Sequence, residues 1–408
     1  MPIGLWSGRH FKFPGAPLTV KTMNTLQRLA IALLFALTLT EVGSAPRDWL
    51  APRDDEVVES LPPRVRAAQL TPQGAAQAAR AWISLSRQSA DPRYLGRAQA
   101  SLGPWWDRAD APSELAVLQA TIEQSRHAFD AARITLQRTL AREPAQAQGW
   151  LTLATLERVA AHYAAAEAAC IQVARQGATL YATACQLETR SMQGQHDAAR
   201  VGLRQLQRQS TEPATQAWLL SLLAESEERA GRDEAAAAAF QASLILAGDG
   251  YTALAYADLL LRVMQPAPAL KALAEQAASD AVLLRRAYAH KQLGDMTWRG
   301  LATELRERFA ALDARGDAPS LHARDRALAA LWLDDNPAKA WPAAQANLIL
   351  QKEPLDWWLA LHTAQASGHS HELAQVVNAF QRSGLRDARL ARWQRGQSEQ
   401  TIPNGRPS

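Results

Sequence analysis

Small and large apolar residues recur at a fixed spacing along the middle of this chain. The small residue of each unit is an alanine, and the series is Ala98, Ala132, Ala166, Ala199 and Ala236. A larger side chain follows four residues later, and that series is Leu102, Leu136, Cys170, Leu203 and Phe240. The first four units are spaced by 34, 34 and 33 residues and the fifth by 37. Because residues i and i+4 share one helical face, the pattern predicts stacked helix-turn-helix units.

The other helix of each unit carries its own apolar positions. Trp82 lies on one such apolar face, and Trp150 occupies the equivalent position 68 residues later, which is two periods. Glycines, which tolerate positive φ, separate the two helices of several units. These glycines are Gly194, Gly231, Gly294 and Gly368. We predict a helical array over residues 73–385 with eight or nine units, and a kink where Pro342 falls inside a second helix.

The repeat resembles the tetratricopeptide repeat family over about residues 76 to 385. The clearest unit lies between Trp218 and Leu246, and its matching positions are Leu220, Leu223, Ala224, Gly231, Ala236 and Phe240. The resemblance implies an all-α fold, an α-α superhelix of antiparallel helix pairs whose first helices line a concave groove. It also implies a protein without catalytic activity that binds a protein or peptide partner in that groove.

The groove-facing positions of the family can be carried onto this chain. They are Gln148, Arg158, Trp218, Glu225, Glu228, Tyr288, Lys291, Arg324, Trp358 and His362. These residues mix charge with aromatic rings, as a peptide-binding groove does. We expect alanine at Glu225, Glu228 and Arg324 to weaken the capture of a partner without unfolding the array.

The first part of the chain has the composition of an export signal. Residues 1–22 are irregular, and translation from Met23 would make them an artefactual extension. Residues 23–45 contain basic residues, an apolar run over 29–39 and small residues before a cleavage site, which is the pattern of a signal peptide. Eleven apolar residues are too few to span a bilayer, so we expect no stable membrane span in the mature chain. Residues 46–72 read as an exposed linker, and we expect a periplasmic or secreted protein.

Charge and composition argue against nucleic acid as the partner of this chain. The chain is 48% hydrophobic and 21% charged with a net charge of +4, and no basic run is interleaved with aromatics.

Residues 386–408 form a polar basic tail. The arginines that would make a basic stripe there are Arg382, Arg386, Arg389, Arg392 and Arg395. The stripe is interpreted as a solvated helix face, with docking to an acidic partner or lipid headgroups as the alternative.

The sequence offers little catalytic chemistry. His369, His371 and Glu372 form the one histidine cluster, without the H-E-x-x-H spacing of a metal site, and we expect neither a metal nor a cofactor. Cys170 and Cys185 should lie on helices that pack together, so either a disulfide or two separate buried thiols fits them. Neither cysteine has a neighbouring histidine, so neither reads as a nucleophile.

Tryptophans and acidic residues leave two alternatives to a binding scaffold. The chain has thirteen tryptophans, of which Trp82, Trp150 and Trp332 fall on core faces of predicted helices. In the adjacent pair Trp357 and Trp358, one ring should be partly exposed, because neighbours on a helix cannot both face inward. One alternative is therefore an envelope enzyme or glycan-binding protein that uses the array as a platform. The other is a structural spacer that associates with itself.

Overall fold

A computed structural model describes the backbone of residues 71–316 and 319–400 and the side chains of 71–316 and 320–394. These residues form nineteen α-helices and two short 3-10 helices, with no β-strand within the described ranges. The α-helices are α1 Pro72–Ser89, α2 Arg93–Leu102, α3 Ser113–Ser125, α4 Phe129–Arg142, α5 Ala147–Val159, α6 Tyr163–Arg175, α7 Thr179–Met192, α8 His196–Gln209, α9 Pro213–Arg229, α10 Asp233–Ala247, α11 Gly250–Arg262, α12 Pro266–Ala272, α13 Asp280–Gln292, α14 Thr297–Ala314, α15 Ala323–Trp332, α16 Pro337–Leu350, α17 Pro354–Ala366, α18 Ser370–Ser383 and α19 Ala388–Gln400. The 3-10 helices are Gly103–Trp105 and Pro319–His322. The first eighteen helices make nine antiparallel pairs, so the fold is an all-α, tetratricopeptide-like α-α superhelix.

The repeating alanines hold the helix pairs together, as the spacing predicted. All five alanines of the series are 0% exposed, and their partners four residues later are at most 1% exposed. A small side chain lets the first and second helices approach closely, and the larger neighbour fills the space between successive pairs. The buried apolar residues form several small clusters that follow one another along the chain. This is the arrangement of a solenoid, in which each unit packs on its neighbours.

Every helix pair has the same turn between its two helices. Each turn contains one residue with positive φ, and the nine are Ala90, His127, Ala161, Gly194, Gly231, Met264, Gly294, Asp335 and Gly368. In the turn after α5, Ala161 N donates to Arg158 O and His162 N donates to Glu157 O, so left-handed backbone closes the helix end. The four glycines predicted for these turns are confirmed. At Pro342 the helix α16 continues from Pro337 to Leu350 without ending.

The superhelix turns back onto itself, and its second turn stacks on the first. Ala277 N donates to Ser89 O at 3.0 Å, Lys352 N to Val159 O at 2.8 Å, and Arg386 N to Met192 O at 2.8 Å. Each acceptor is the last residue of a first helix, whose carbonyl has no partner inside its own helix. The stacking therefore satisfies orphan carbonyls, and it converts the open concave groove expected from the sequence into a cavity.

A histidine side chain adds to the same seam between the two turns. The Nδ1 of His127 lies 2.9 Å from the carbonyl oxygen of Leu321, 194 residues along the chain. Because a carbonyl only accepts, the ring donates an N–H there. Burial lowers the pKa of His127, which keeps the ring neutral near pH 7.

Gly250 lies at a close approach across the seam between α1 and α11. A Cβ on Gly250 would lie 2.7 Å from the Ala90 Cβ, the Ala90 nitrogen and the Arg87 carbonyl oxygen. Gly250→Ala should therefore destabilise the fold by about 1–3 kcal/mol, because two of these atoms are backbone and cannot move independently. Urea denaturation followed by circular dichroism measures the effect.

The matched control is Gly300→Ala in the interior of α14, where a Cβ would meet no atom within 4 Å. Alanine at this site should stabilise the helix by about 0.5–1 kcal/mol, since glycine loses more backbone entropy on folding. Equal stability changes at Gly250 and Gly300 would contradict close packing of the two superhelical turns.

The C-terminal segment differs from the polar tail predicted over 386–408. Helix α19 packs against the array through Leu390, and Leu385 just before the helix is also buried in the same cluster as Tyr163 and Met192. Trp393 Nε1 donates to Gln365 Oε1 at 3.1 Å. The reason for the difference is that the apolar anchors lie between the arginines, so the helix docks although its composition is polar.

Other expectations lie outside the described residues. These are the extension 1–22, the signal peptide 23–45, all but the end of the linker 46–72, and the last residues of the tail, 401–408. Among the residues that the structure describes, no helix combines the length and the apolar character needed to cross a membrane.

Candidate functional site

The stacked turns enclose a central cavity of about 650 Å³. Its walls come from the first helices of seven pairs, from α5 to α17, together with α19. The first superhelical turn contributes residues near the C-terminal ends of its helices, such as Arg158 and Glu228. Helix α17 contributes its N-terminal end, from Pro354 to Trp358. The cavity therefore lies at the seam between the turns, where the ends of the helices meet.

Charged side chains line the cavity in opposite pairs. Arg158 pairs with Glu188 at 2.7 Å, and Arg389 pairs with Glu228 at 2.6 Å. The Arg158 side chain is only 5% exposed, so its charge depends on the neighbouring carboxylate for compensation. The pair from Arg389 to Glu228 also fixes α19 to α9 across 161 residues of sequence.

Arg285 and Arg324 each bridge two acidic residues. Arg285 lies 2.9 Å from Asp258 on α11 and 2.9 Å from Asp325 on α15, and this double pairing raises its pKa against the effect of burial. Each such arginine therefore ties the first helices of neighbouring pairs together with planar, bidentate hydrogen bonds.

The Arg324 contacts centre on a fully buried carboxylate. Asp356 is 0% exposed and accepts from Arg324 Nε at 2.7 Å, from Asn347 Nδ2 at 2.6 Å and from the Glu353 backbone nitrogen at 2.9 Å. Arg324 Nη2 also donates to Glu353 at 2.8 Å. Burial would raise the pKa of Glu353, but Arg324 outweighs it and holds that pKa below its ordinary value. This network joins α15, α16 and α17.

Glu225 is the cavity acid with the least compensation. Burial raises its pKa to about 7, although Arg229, whose nearest nitrogen is 3.6 Å away, opposes the shift. Glu188 adds to the increase by repulsion. The Tyr251 hydroxyl donates to Glu225 at 2.6 Å. Near neutral pH the carboxyl group is therefore only partly ionised.

An aromatic surface faces the charged part of the cavity. Tyr288 stacks on Trp332 with ring centres 4.6 Å apart, and both line the cavity with Leu355 and Trp358. All four side chains are half-buried and pack on one cluster of buried leucines and phenylalanine behind them. We call Tyr288, Trp332, Leu355 and Trp358 the aromatic wall. Trp332 was expected in the core, whereas its ring lies at the cavity surface.

The structure brings together six of the ten groove residues expected from the sequence. The six that line the cavity are Arg158, Glu225, Glu228, Tyr288, Arg324 and Trp358. The other four, which are not among its lining residues, are Gln148, Trp218, Lys291 and His362.

The four excluded residues have structural contacts instead. Trp218 packs on Tyr181 with ring centres 5.4 Å apart, and Gln148 donates to Thr152 at 3.4 Å. Lys291 Nζ donates to the carbonyl oxygen of Trp332 at 2.9 Å. His362 stacks behind Trp358, and burial lowers its pKa.

Sequence reasoning missed several cavity residues for identifiable reasons. Tyr251, Asp258 and Arg285 lie on α11 and α13, where the repeat pattern weakens. Arg389 was visible as part of the basic stripe, but nothing local indicated that it turns inward to Glu228. Only the stacking of the second superhelical turn on the first brings α19 to that position.

The two cysteines form a disulfide between α6 and α7, with their Cα atoms 5.7 Å apart. Both are buried, and Arg158 Nη1 lies 3.7 Å from Cys185 Sγ. The bond thus lies directly behind one residue of the cavity wall.

The histidine cluster of the last pair makes contacts with protein groups. His369 stacks on Trp341 with ring centres 5.6 Å apart, and His371 Nε2 lies 2.9 Å from Gln375 Nε2. Within the part of the chain that the structure describes, no three His, Cys, Asp or Glu side chains are arranged to hold a metal ion.

No family model matches the chain, and no curated protein matches it. Solved structures with similar folds include a chain described under the functional characterization of Pseudomonas aeruginosa PilF, with 16% identity, a TM-score of 0.35, and coverage of 50% of this chain and 94% of that chain.

Two further structures have similar folds. One is a Rap protein complexed with competence and sporulation factor, with 11% identity, a TM-score of 0.47, and coverage of 78% of this chain and 87% of that chain. The other is the P58(IPK) TPR domain, with 13% identity, a TM-score of 0.24, and coverage of 73% and 99%. All three TM-scores lie below 0.5, so nothing about the role of this chain follows from these likenesses.

Proposed function

We propose that this chain is an exported, non-catalytic scaffold that binds a segment of a polypeptide partner in its central cavity. The observation that carries the proposal is the cavity itself, about 650 Å³ in volume and built from eight helices of the array. Ligand sites in proteins range over roughly 300–1,000 Å³, so a short stretch of chain fits. The lining combines aromatic rings with hydrogen-bonding groups, which suits a polypeptide backbone and its side chains.

Export is the second part of the proposal. Its support is the signal-like pattern over residues 23–45 and the disulfide between Cys170 and Cys185, since disulfides persist in oxidising compartments. Fractionation of cells that make the native chain should recover it outside the cytoplasm. Recovery in the cytoplasm with both thiols free would contradict this part alone.

Site-specific photocrosslinking tests the binding function. We would place benzoylphenylalanine at Leu254, which lines the cavity, and at Ile245, which is 78% exposed on the second helix α10. In the native host, one discrete polypeptide should crosslink at Leu254 and not at Ile245. Identical adducts at both positions, or no adduct at Leu254, would overturn the proposal.

An enzyme acting on a glycan is a second candidate, favoured by Glu225. A carboxyl group with a pKa of about 7 in a cavity can donate a proton as a general acid. Glu225→Gln separates the two candidates because it keeps the side chain's size and its contact with Tyr251. An enzyme would lose about 100-fold or more of its turnover, whereas a scaffold would retain the crosslink at Leu254.

A further inference from the structure

Five of the seven arginines that line the cavity are compensated by close carboxylates of the protein. Of the seven arginines that line it, Arg158, Arg285, Arg324 and Arg389 each lie within 3 Å of a carboxylate. Arg262 also has close carboxylate partners, Glu228 at 3.1 Å and Asp233 at 2.8 Å.

The last two arginines are paired less closely. Arg229 lies 3.6 Å from Glu225 and donates to Ser191 at 3.2 Å, while its Nη2 is buried without a hydrogen-bond partner among the described residues. Arg392 is exposed to solvent. An ionic ligand that displaced one of the five close pairs would leave a buried charge without its partner, which is costly in a protein interior. Most of the charged side chains around the cavity therefore stabilise its wall, and they are not available to bind a ligand.

The aromatic wall is the part of the cavity lining where large apolar side chains remain partly exposed. Tyr288, Trp332, Leu355 and Trp358 come from three successive first helices and remain only half-buried. Large rings of this kind contribute most when a ligand removes their remaining surface from water. The guanidinium of Arg285, held by Asp258 and Asp325, lies 5.9 Å from the centre of the Trp332 ring and covers only part of that surface.

We propose that the cavity recognises one large uncharged side chain of the partner, aromatic or aliphatic, and binds it against the aromatic wall. The inference rests on the proposed polypeptide binding and specifies the chemistry of the bound segment. The volume of about 650 Å³ admits that side chain with a few flanking residues, whose backbone faces the paired charges. Binding then depends on buried apolar area and is nearly independent of salt.

Blocked tripeptides of the form acetyl-Ala-Xaa-Ala-amide test the chemistry directly. With the purified chain, saturation-transfer NMR should show binding when Xaa is Trp or Leu, with a Kd about tenfold or more below that for Lys or Glu. The Kd for the Trp peptide should change less than about twofold between roughly 50 and 500 mM NaCl. Neither measurement requires a variant, so a folding defect cannot obscure it.

A variant and its matched control assign the binding to the aromatic wall. Trp332→Ala should weaken the Trp peptide about tenfold or more, whereas Trp82→Ala should leave its Kd unchanged. Trp82 is a suitable control because it is also half-buried and stacked, here on Tyr94 at 5.8 Å, but lies outside the cavity lining.

The outcomes separate this inference from the function on which it rests. Tighter binding of the Lys or Glu peptide, a steep salt dependence, or no binding of any peptide would overturn the inference. The proposed function would survive each of those results if a polypeptide still crosslinks at Leu254. Loss of that crosslink would remove both.

Discussion

Replacing Arg324 with methionine should destabilise the folded chain by about 3 kcal/mol, at the lower end of the range for breaking a buried ion pair. The substitution keeps most of the side-chain volume but removes the charge that faces Glu353 and Asp356. Asp356 is 0% exposed, so its carboxylate would retain only the hydrogen bonds from Asn347 and the Glu353 backbone. The lower end applies because the Arg324 side chain is itself 24% exposed.

The loss should depend on pH in a defined direction. Arg324 holds the pKa of Glu353 below its ordinary value, so the pair contributes stability above that ordinary pKa and loses it as the pH falls through the lowered one. The difference between Arg324→Met and the native chain should therefore be largest near pH 7. It should shrink as the solution is acidified below about pH 4.

Urea denaturation at several pH values measures this prediction. The control is Arg306→Met, which removes a pair with Asp334 at 2.8 Å in which the arginine is 51% exposed. Exposed pairs contribute only about 0–1 kcal/mol, so this variant should be nearly neutral. Equal losses at Arg306 and Arg324, or a loss at Arg324 that grows on acidification, would contradict the buried network.

The structural role of Arg324 also changes which residues should be substituted to test partner binding. The sequence led us to expect that alanine at Arg324 would weaken partner capture without unfolding the array. Arg324 is unsuited to that use, because it also belongs to the network with Asp356, Glu353 and Asn347 that joins three helices, so its loss would affect folding as well as binding. Glu228 has the same difficulty, since it holds both Arg389 and Arg262.

Local sequence patterns predicted the helix pairs because the two helices of a pair are close in sequence and pack on each other directly. Ala132 and Leu136 lie on one face of α4 and pack on the neighbouring helix, so spacing alone identifies them. Gly194 and Gly231 identify their turns for a similar reason, since positive φ favours glycine. Ala161 and Met264 adopt the same backbone in equivalent turns without being glycine, and no composition signal marks them.

The closure of the superhelix could not be read from the sequence in the same way. It depends on contacts such as the one between His127 and Leu321, which are 194 residues apart. Small rotations between successive helix pairs accumulate over that distance, and no residue pattern encodes their sum. The groove-facing spacing selected six residues that line the cavity, but it did not show how far along each helix the cavity extends. Gln148 and Trp218 lie too near the N-terminal ends of α5 and α9 to reach it.

Loss of the disulfide should have the second large effect, about 3 kcal/mol of unfolding free energy. Cys170 and Cys185 are 15 residues apart, and closing a loop of about that length restricts the unfolded chain by this amount in the entropic model. Denaturation of the native chain with and without a reductant measures the loss. The variant with both Cys170→Ala and Cys185→Ala is the control, because a reductant should leave its stability unchanged.

The same experiment can show whether the disulfide also supports the cavity. Cys185 Sγ lies 3.7 Å from Arg158 Nη1, and Arg158 holds Glu188 at the cavity surface. Reduction should therefore increase amide hydrogen exchange in α6 and α7 first, while the distant aromatic wall on α13, α15 and α17 keeps its protection. Full reduction, verified by thiol titration, without a change in stability or in exchange would show that helix packing alone holds this part of the array. A uniform increase along all nine pairs would instead show that the array unfolds as one unit, because the loss at α6 and α7 would then have spread through every neighbouring interface.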